Sequence, residues 1–401
     1  MSVNVIELAE QLLTETTGHP VRLINPQKLS DVNTVLRCSL EPTQSNMPLS
    51  VILKQVTTTE FNNPDGLAGE SHRFLNEWAS LSFLSKLHEK SHFGPKLLAS
   101  DRESNLIILE DFGKHQTVED ILLGNHREKA EKGLRAIGTF LGQMHAAAYG
   151  RGEFFVKEQT RLNASSPQSD STFDFSTPPM VEIFQDCLST LQITPATGFW
   201  DALHKLEKSI HSPGPFYTFI HADAGPHNYL YFGETVQLID YEFGVLGYGL
   251  LDVVSARLGF PHSALCQSVP GEIVQQLERA YQKELAIALP QITDQIFFEQ
   301  ELVNACAHWA LSRWGLAWMY YFKRCFEIDD EKTINEEMEL TTGQAQKRRS
   351  RLMTLYQSFI QFAYETDHQL PIADTLQLFT LMLQQKWPEL NVMPVYPALQ
   401  D

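Results

Sequence analysis

Basic residues are in short supply: Lys and Arg total 31 against 49 Asp and Glu, a formal net charge of -18 over 401 residues. A surface that acidic repels nucleic acid and anionic membranes, and it favours a cationic small molecule. Cysteine is sparse as well. The five (Cys38, Cys187, Cys266, Cys306 and Cys325) are odd in number, scattered, and never spaced Cys-x-x-Cys. They read as small buried apolar residues in a reducing compartment, which argues against a disulfide scaffold or a zinc ribbon. No apolar run reaches the roughly eighteen residues that a bilayer span needs. Met1 to Leu13 lacks the basic start and apolar centre of a secretory leader. We therefore expect a cytoplasmic protein with no nucleic-acid or membrane partner. Internal repeats are also missing. Apolar residues are plentiful, at 43% of the chain, enough for a large core or for two lobes.

The chemistry concentrates in Phe219-Ile220-His221-Ala222-Asp223-Ala224-Gly225-Pro226-His227-Asn228-Tyr229-Leu230 and the following Val236-Gln237-Leu238-Ile239-Asp240-Tyr241-Glu242. Short apolar runs bracket a polar loop and a turn at Gly233-Glu234, so the pattern reads strand, loop, strand, hairpin turn, acidic end. An Asp, an Asn five positions later and a second Asp at a strand end suit the movement of a phosphoryl group. One carboxylate orients or receives a hydroxyl proton, while an amide oxygen and the other carboxylate hold magnesium. Asp223 takes the first role, and Asn228 and Asp240 the second. Two histidines and three acids in one stretch also raise a metal-dependent hydrolase, but their spacing matches no zinc pattern such as His-Glu-x-x-His. His221 is expected to brace the loop. Glu242, two residues beyond Asp240 on an extended strand, is expected to point the same way, as an accessory group for a second metal or for the loop.

His-x-Asp-x-x-x-x-Asn is the kinase catalytic-loop spacing without its Arg, and here the chain resembles the aminoglycoside phosphotransferase and choline kinase-like family. Asp240-Tyr241-Glu242 is similar to the Asp-aromatic-Glu of its choline and ethanolamine branch. The chain departs from the family at Ala222 and His227, where Gly is common. The resemblance implies an α+β, bilobal protein-kinase-like fold, with a small antiparallel-sheet lobe over residues 1–113 and a mostly helical lobe over 114–401. It also implies ATP or GTP and Mg2+ as cofactors, and a small-molecule hydroxyl acceptor. Protein kinase activity is disfavoured, because no activation segment ends in Ala-Pro-Glu.

In the first lobe, Val51-Ile52-Leu53-Lys54 reads as a buried strand closed by a lysine, whose ammonium needs an anion partner. The next helix, from about Gly69 to Glu89, places Glu77 on the inward face with Phe74, Leu81 and Leu84. That matches a kinase Lys–Glu pair. The alternatives are a snorkelling Lys54 with Glu77 at the rim, or Glu70 as the partner. Ser30, Asn33 and Thr34 lie between strand-prone runs, in place of a glycine-rich phosphate loop or as a plain hairpin turn. Leu106 to Leu109 forms another strand and runs into Glu110-Asp111-Phe112-Gly113. This Asp-Phe-Gly precedes the catalytic loop, so it is not the metal ligand. It resembles the lobe hinge, where the backbone of Leu109 to Asp111 meets an adenine edge.

Further on, His126 to Tyr149 keeps helical period, and His145 on its apolar side reads as a core histidine. Gln159 to Pro179 is polar and Ser-rich, either a lid or a surface insertion. Asp252 resembles a family Asp that caps a helix under the site, which implies a structural role. Between Phe298 and Phe326 a ring-rich helical face supplies mostly core, with Trp309 and Arg313 as acceptor-pocket candidates. The reading that follows is a small-molecule kinase for an amine-bearing alcohol of aminoglycoside, choline or ethanolamine type. A silent nucleotide-binding scaffold is the alternative, and a hydrolase the third.

Overall fold

The computed structural model describes residues 4–29, 34–41, 48–56, 70–87, 93–163, 180–311 and 341–400. In chain order these hold α1 (Val5–Thr17), β1 (Leu23–Lys28), β2 (Thr34–Leu40), β3 (Ser50–Gln55), α2 (Glu70–Leu84), β4 (Leu97–Asp101) and β5 (Leu106–Glu110). There follow α3 (Val118–Leu122), α4 (Arg127–Ala148), α5 (Gly152–Asn163), α6 (Met180–Thr190), α7 (Phe199–His211) and β6 (Tyr217–Ile220). The remainder is β7 (Tyr229–Tyr231), β8 (Val236–Leu238), β9 (Val245–Tyr248), α8 (Leu250–Val254), α9 (Gly271–Leu285), α10 (Gln295–Leu311), α11 (Thr342–Glu365) and α12 (Leu370–Lys386). No helix of the described residues is long and apolar enough to cross a membrane.

The chain divides into two compact units. The first comprises Met1–Gln116, Gly150–Phe173 and Gln237–Val245. Its centre is an antiparallel sheet in the order β1-β2-β3-β5-β4. Strand alternation sorts β3 cleanly. Val51 and Leu53 are buried with Ala9 and Leu13 of α1 and with Cys38, Leu106 and Ile108. Ile52 and Lys54 therefore fall on the opposite face. Asn4 caps α1 through its side chain, and Gly18 ends it in a left-handed conformation (φ 73) that L-residues adopt only with strain. Phe74, Leu75, Trp78, Leu81 and Leu84 form the buried stripe of α2.

Two later segments are tied to α2. Asn76 donates to the carbonyls of Glu242 (3.0 Å) and Gly244 (2.7 Å), and its own Oδ1 accepts from Gln159 of α5 (3.0 Å). Tyr241, fully buried, donates to the Phe93 carbonyl. The expected loop from Gln159 to Pro179 is thus corrected at its start. Residues 159–163 complete α5, where buried Gln159 meets a polar partner that local composition could not reveal. Residues 164–179 lie outside the described residues, as do Ser30, Asn33 and Arg313.

The second unit, Thr117–Tyr149, Asp174–Val236 and Leu246–Asp401, is mainly helical. Helices α4 and α9 make its most extensive contact, and two glycines permit it. A Cβ on Gly138 would lie 2.1 Å from the Leu277 carbonyl oxygen, and one on Gly142 would lie 2.7 Å from that of Tyr281. His145 of α4 is fully buried, with Nδ1 2.9 Å from the Tyr281 hydroxyl, so it is part of the core. Strand β6 pairs with β9 and delivers the chain into the loop at His221.

Candidate active site

Among the described residues, each unit holds some of the polar side chains that the sequence singled out. In the first, Lys54 Nζ donates to Glu77 at 2.7 and 2.9 Å and to Asp240 Oδ1 at 2.8 Å. Glu77 is buried, whereas the Asp240 side chain is 40% exposed, which makes Asp240 the open side of the cluster. Burial favours a neutral Lys54 amine, but the Glu77 and Asp240 carboxylates outweigh it and raise the pKa above the ordinary lysine value. The amine is therefore held as an ammonium at neutral pH.

Asp240 reaches this position through its own backbone. It takes φ 68, and a 3₁₀ turn over Tyr241–Phe243 follows. Strand alternation consequently stops before Glu242, which corrects the expectation that its side chain parallels that of Asp240. Glu242 instead accepts from Arg73 Nη1 at 3.0 Å, one turn of α2 before Glu77. Burial first, and the Asp240 charge second, push the Glu242 carboxyl up to about 7, with Arg73 pulling it back. A carboxyl that is easier to protonate when folded makes the native state bind more protons between its ordinary 4.5 and about 7. Stability must then fall as pH rises through that window. Glu242→Gln should melt a few degrees above the parent at pH 8, with the gap closing by pH 4.5. Parallel melting curves at both pH values would refute this.

In the second unit the loop after β6 is held by its own polar groups. Asp252, inside α8, accepts from the backbone N–H of His221 (2.7 Å) and of Ala222 (3.0 Å). It caps no helix, contrary to the sequence expectation; it fixes the loop after β6 instead. Those two bonds help hold Ala222 at φ 63, a left-handed conformation that a glycine would adopt freely. Fully buried His221 accepts from the Asp223 N–H through Nδ1 (3.2 Å), a bracing contact. Gly225 N–H turns back to the Asp223 carbonyl (2.7 Å), and Asn228 N–H to the Gly225 carbonyl (3.0 Å). Asn228 Nδ2 then reaches the Asp223 carbonyl (3.0 Å) and carboxylate (3.2 Å). With its nitrogen so engaged, the amide presents Oδ1 as an acceptor.

Burial raises the Asp223 pKa, but the nearby imidazoles of His227, His262 and His221 more than offset it. The net direction is down, so the carboxylate is ionised at neutral pH. His227 Nε2 lies 3.7 Å from Asp223 Oδ2, and His262 Nε2 lies 3.8 Å from Oδ1. The His262 side chain, 5% exposed, stacks on Trp309 (centroids 5.5 Å apart, planes at 25°). Sequence reasoning passed over His262. It follows no motif spacing, and only tertiary packing brings it to the loop.

At the proposed hinge, Leu109 is a buried residue of β5 opposite Ile52 and Leu97. The Asp111 carboxylate accepts from Arg37 Nε (2.7 Å) and Nη2 (2.9 Å), from Ser50 Oγ (2.6 Å) and from the Gly113 N–H (2.9 Å). Those bonds occupy the side chain in joining β2, β3 and the turn.

Both groups offer hard oxygen donors of the kind magnesium prefers. Three carboxylates (Glu77, Asp240 and Glu242) face two cations (Lys54 and Arg73), and this excess of negative charge adds to burial in keeping the Glu242 carboxyl high. A divalent cation would relieve it. Among the described residues no three His, Cys, Asp or Glu side chains are grouped to hold a metal ion, so the fit rests on donor chemistry alone.

Among solved structures, the chain is similar to an amicoumacin kinase in complex with AMP-PNP, Ca2+ and Ami (12% identity, 82% of this chain and 87% of that one, TM-score 0.46). It is similar also to choline kinase LicA from Streptococcus pneumoniae (14%, 89% and 99%, TM-score 0.39). A third is macrolide 2'-phosphotransferase MphH from Brachybacterium faecium (14%, 80% and 99%, TM-score 0.41). No curated protein matches the sequence. The family model described as the phosphotransferase enzyme family, APH, matches residues 61–291, more than half of the 401. That stretch contains Glu77, the loop from His221 to Asn228 and Asp240, and by it the chain belongs to the aminoglycoside phosphotransferase-type family, with its protein-kinase-like fold.

Proposed function

We propose that this phosphotransferase is a small-molecule kinase, moving the γ-phosphate of ATP or GTP to the hydroxyl of an amine-bearing alcohol. The observation that carries the reading is the Lys54–Glu77–Asp240 cluster, a cation locked by a buried carboxylate and shared with an open one. Such a cation suits the α- and β-phosphates of a nucleotide. Leu109 to Asp111 would meet the adenine edge through backbone groups. Asn228 and Asp240 would hold magnesium, which when bound neutralises the charge on the phosphate oxygens. Asp223, ionised and steadied by His221 and Asn228, orients the acceptor hydroxyl and takes its proton. The net charge of -18 favours an acceptor that carries an ammonium group.

The test is ATP and GTP consumption with Mg2+ across choline, ethanolamine, aminoglycosides and neutral diols. Turnover with an amino alcohol and not with the diols is expected, as is a rise in melting temperature on adding nucleotide. Nucleotide binding without turnover would instead favour a silent scaffold. Phosphatase activity with no thermal response to nucleotide would favour a hydrolase.

A further inference from the structure

The segment after α8 is built to hold one ring in place. Phe260 adopts a left-handed backbone (φ 53), and its N–H returns to the Ser255 carbonyl at 2.7 Å. Ser263 is fixed by Glu119, and the Ala264 carbonyl accepts from Lys347 (3.0 Å) and from Arg351. Between them, His262 stacks on Trp309, whose indole N–H is itself anchored to the Leu251 carbonyl at 2.8 Å.

Neither ring nitrogen of His262 has a hydrogen-bond partner among the described residues, although the side chain is only 5% exposed. A buried polar group left unmatched is costly and points to a partner supplied from outside. Burial, the dominant influence, holds the ring near a pKa of about 4. It is neutral at pH 7, with one nitrogen protonated. Its Nε2 and Asp223 Oδ1 are 3.8 Å apart, too far for a direct bond. An oxygen about 2.8 Å from each would bridge them. Gly225 preserves the space, since a Cβ there would stand 2.7 Å from His262 Nε2 and 2.5 Å from His227 Cε1.

We propose that His262 is a catalytic residue that donates its Nε2–H to the oxygen of the acceptor hydroxyl while Asp223 accepts that hydroxyl's proton. The inference rests on the kinase reading above and assigns the acceptor's reacting oxygen to this gap. In the step, the acceptor O–H bond breaks and its proton passes to the Asp223 carboxylate. The oxygen forms a bond to the γ-phosphorus of the nucleoside triphosphate. The bond from that phosphorus to the β–γ bridging oxygen breaks, and its electron pair leaves with the nucleoside diphosphate. His262 keeps its proton throughout and holds the oxygen in line.

His262→Phe retains a flat ring for Trp309 and removes the donor; His262→Gln restores an N–H at similar reach. With Mg2+-ATP and the alcohol turned over best by the parent, H262F should lose roughly tenfold in kcat/KM for the alcohol. KM for ATP should stay unchanged and the melting temperature should not fall, and H262Q should recover most of the loss. H262M gives the same comparison should H262F not fold. A donor-free variant within twofold of the parent, or an H262Q as impaired as H262F, would overturn the role of His262 and leave the kinase reading standing. A parent that consumes no nucleotide with any alcohol would remove that reading, and this one with it.

Discussion

Asp223→Ala should lower phosphoryl transfer by about three orders of magnitude and leave the affinity for nucleotide within a few-fold of the parent. The first half of that expectation follows from the work assigned to the carboxylate. A positioned proton acceptor contributes typically about 10²- to 10⁴-fold, and here the same group also orients the nucleophile. Its pKa, held low by His227, His262 and His221 against the opposing pull of burial, means no protonated fraction limits it near neutrality. The second half follows from where the cation sits, because Lys54, Glu77 and Asp240 belong to a different group of residues and do not depend on Asp223 for their hydrogen bonds. Asn228 would lose one of its two bonds to Asp223 and keep the one to the backbone carbonyl. Asp223→Asn, which preserves shape and removes the proton acceptor, should be nearly as inactive. Isothermal titration with a non-hydrolysable nucleotide, beside steady-state rates, decides the matter. Loss of binding together with turnover, or survival of more than a tenth of the rate, would defeat this role.

Lys54→Met is expected to damage both turnover and folding, and the two effects can be separated. Removing the ammonium strands Glu77, buried and left without its cation, beside Asp240. Breaking a buried pair in this way costs about 3 kcal/mol or more, because the remaining charge stays desolvated. Adding Glu77→Gln should return much of that stability by making the remaining partner neutral. It should not return turnover, which requires a cation on the triphosphate and is expected to stay about 10²-fold or more below the parent. Urea melts of the two single variants and the double variant supply the cycle, with initial rates measured beside them. Rates that recovered along with stability would make Lys54 a purely structural residue.

What could be read from the residues alone, and what could not, divides by range. Lys54 and Glu77 were each placed by local periodicity, one closing an apolar strand and the other on the apolar stripe of a helix. The need to neutralise a buried charge joined them. Asp223 and Asn228 are legible because six consecutive residues of one tight loop carry both. Nothing near Asp252 in sequence announces the two backbone N–H groups, about thirty residues away, from which it accepts. Glu242 departs from strand alternation for a subtler reason: a left-handed residue at Asp240 ends it. His262 and the Gln159–Asn76 contact exist only in three dimensions. Acidic composition suggested the charge of a ligand, but no residue count names an acceptor.

The knot of Arg37, Asp111 and Ser50 limits how this scaffold can be recombined. A chimera with a related enzyme that exchanged the turn at 111–113 while keeping its own second and third strands would leave a guanidinium and a hydroxyl without the carboxylate both were shaped around. Splice points therefore have to move as a set. The turn can be transplanted only with the residues at 37 and 50 that answer to it, even though 61 positions or more separate them along the chain.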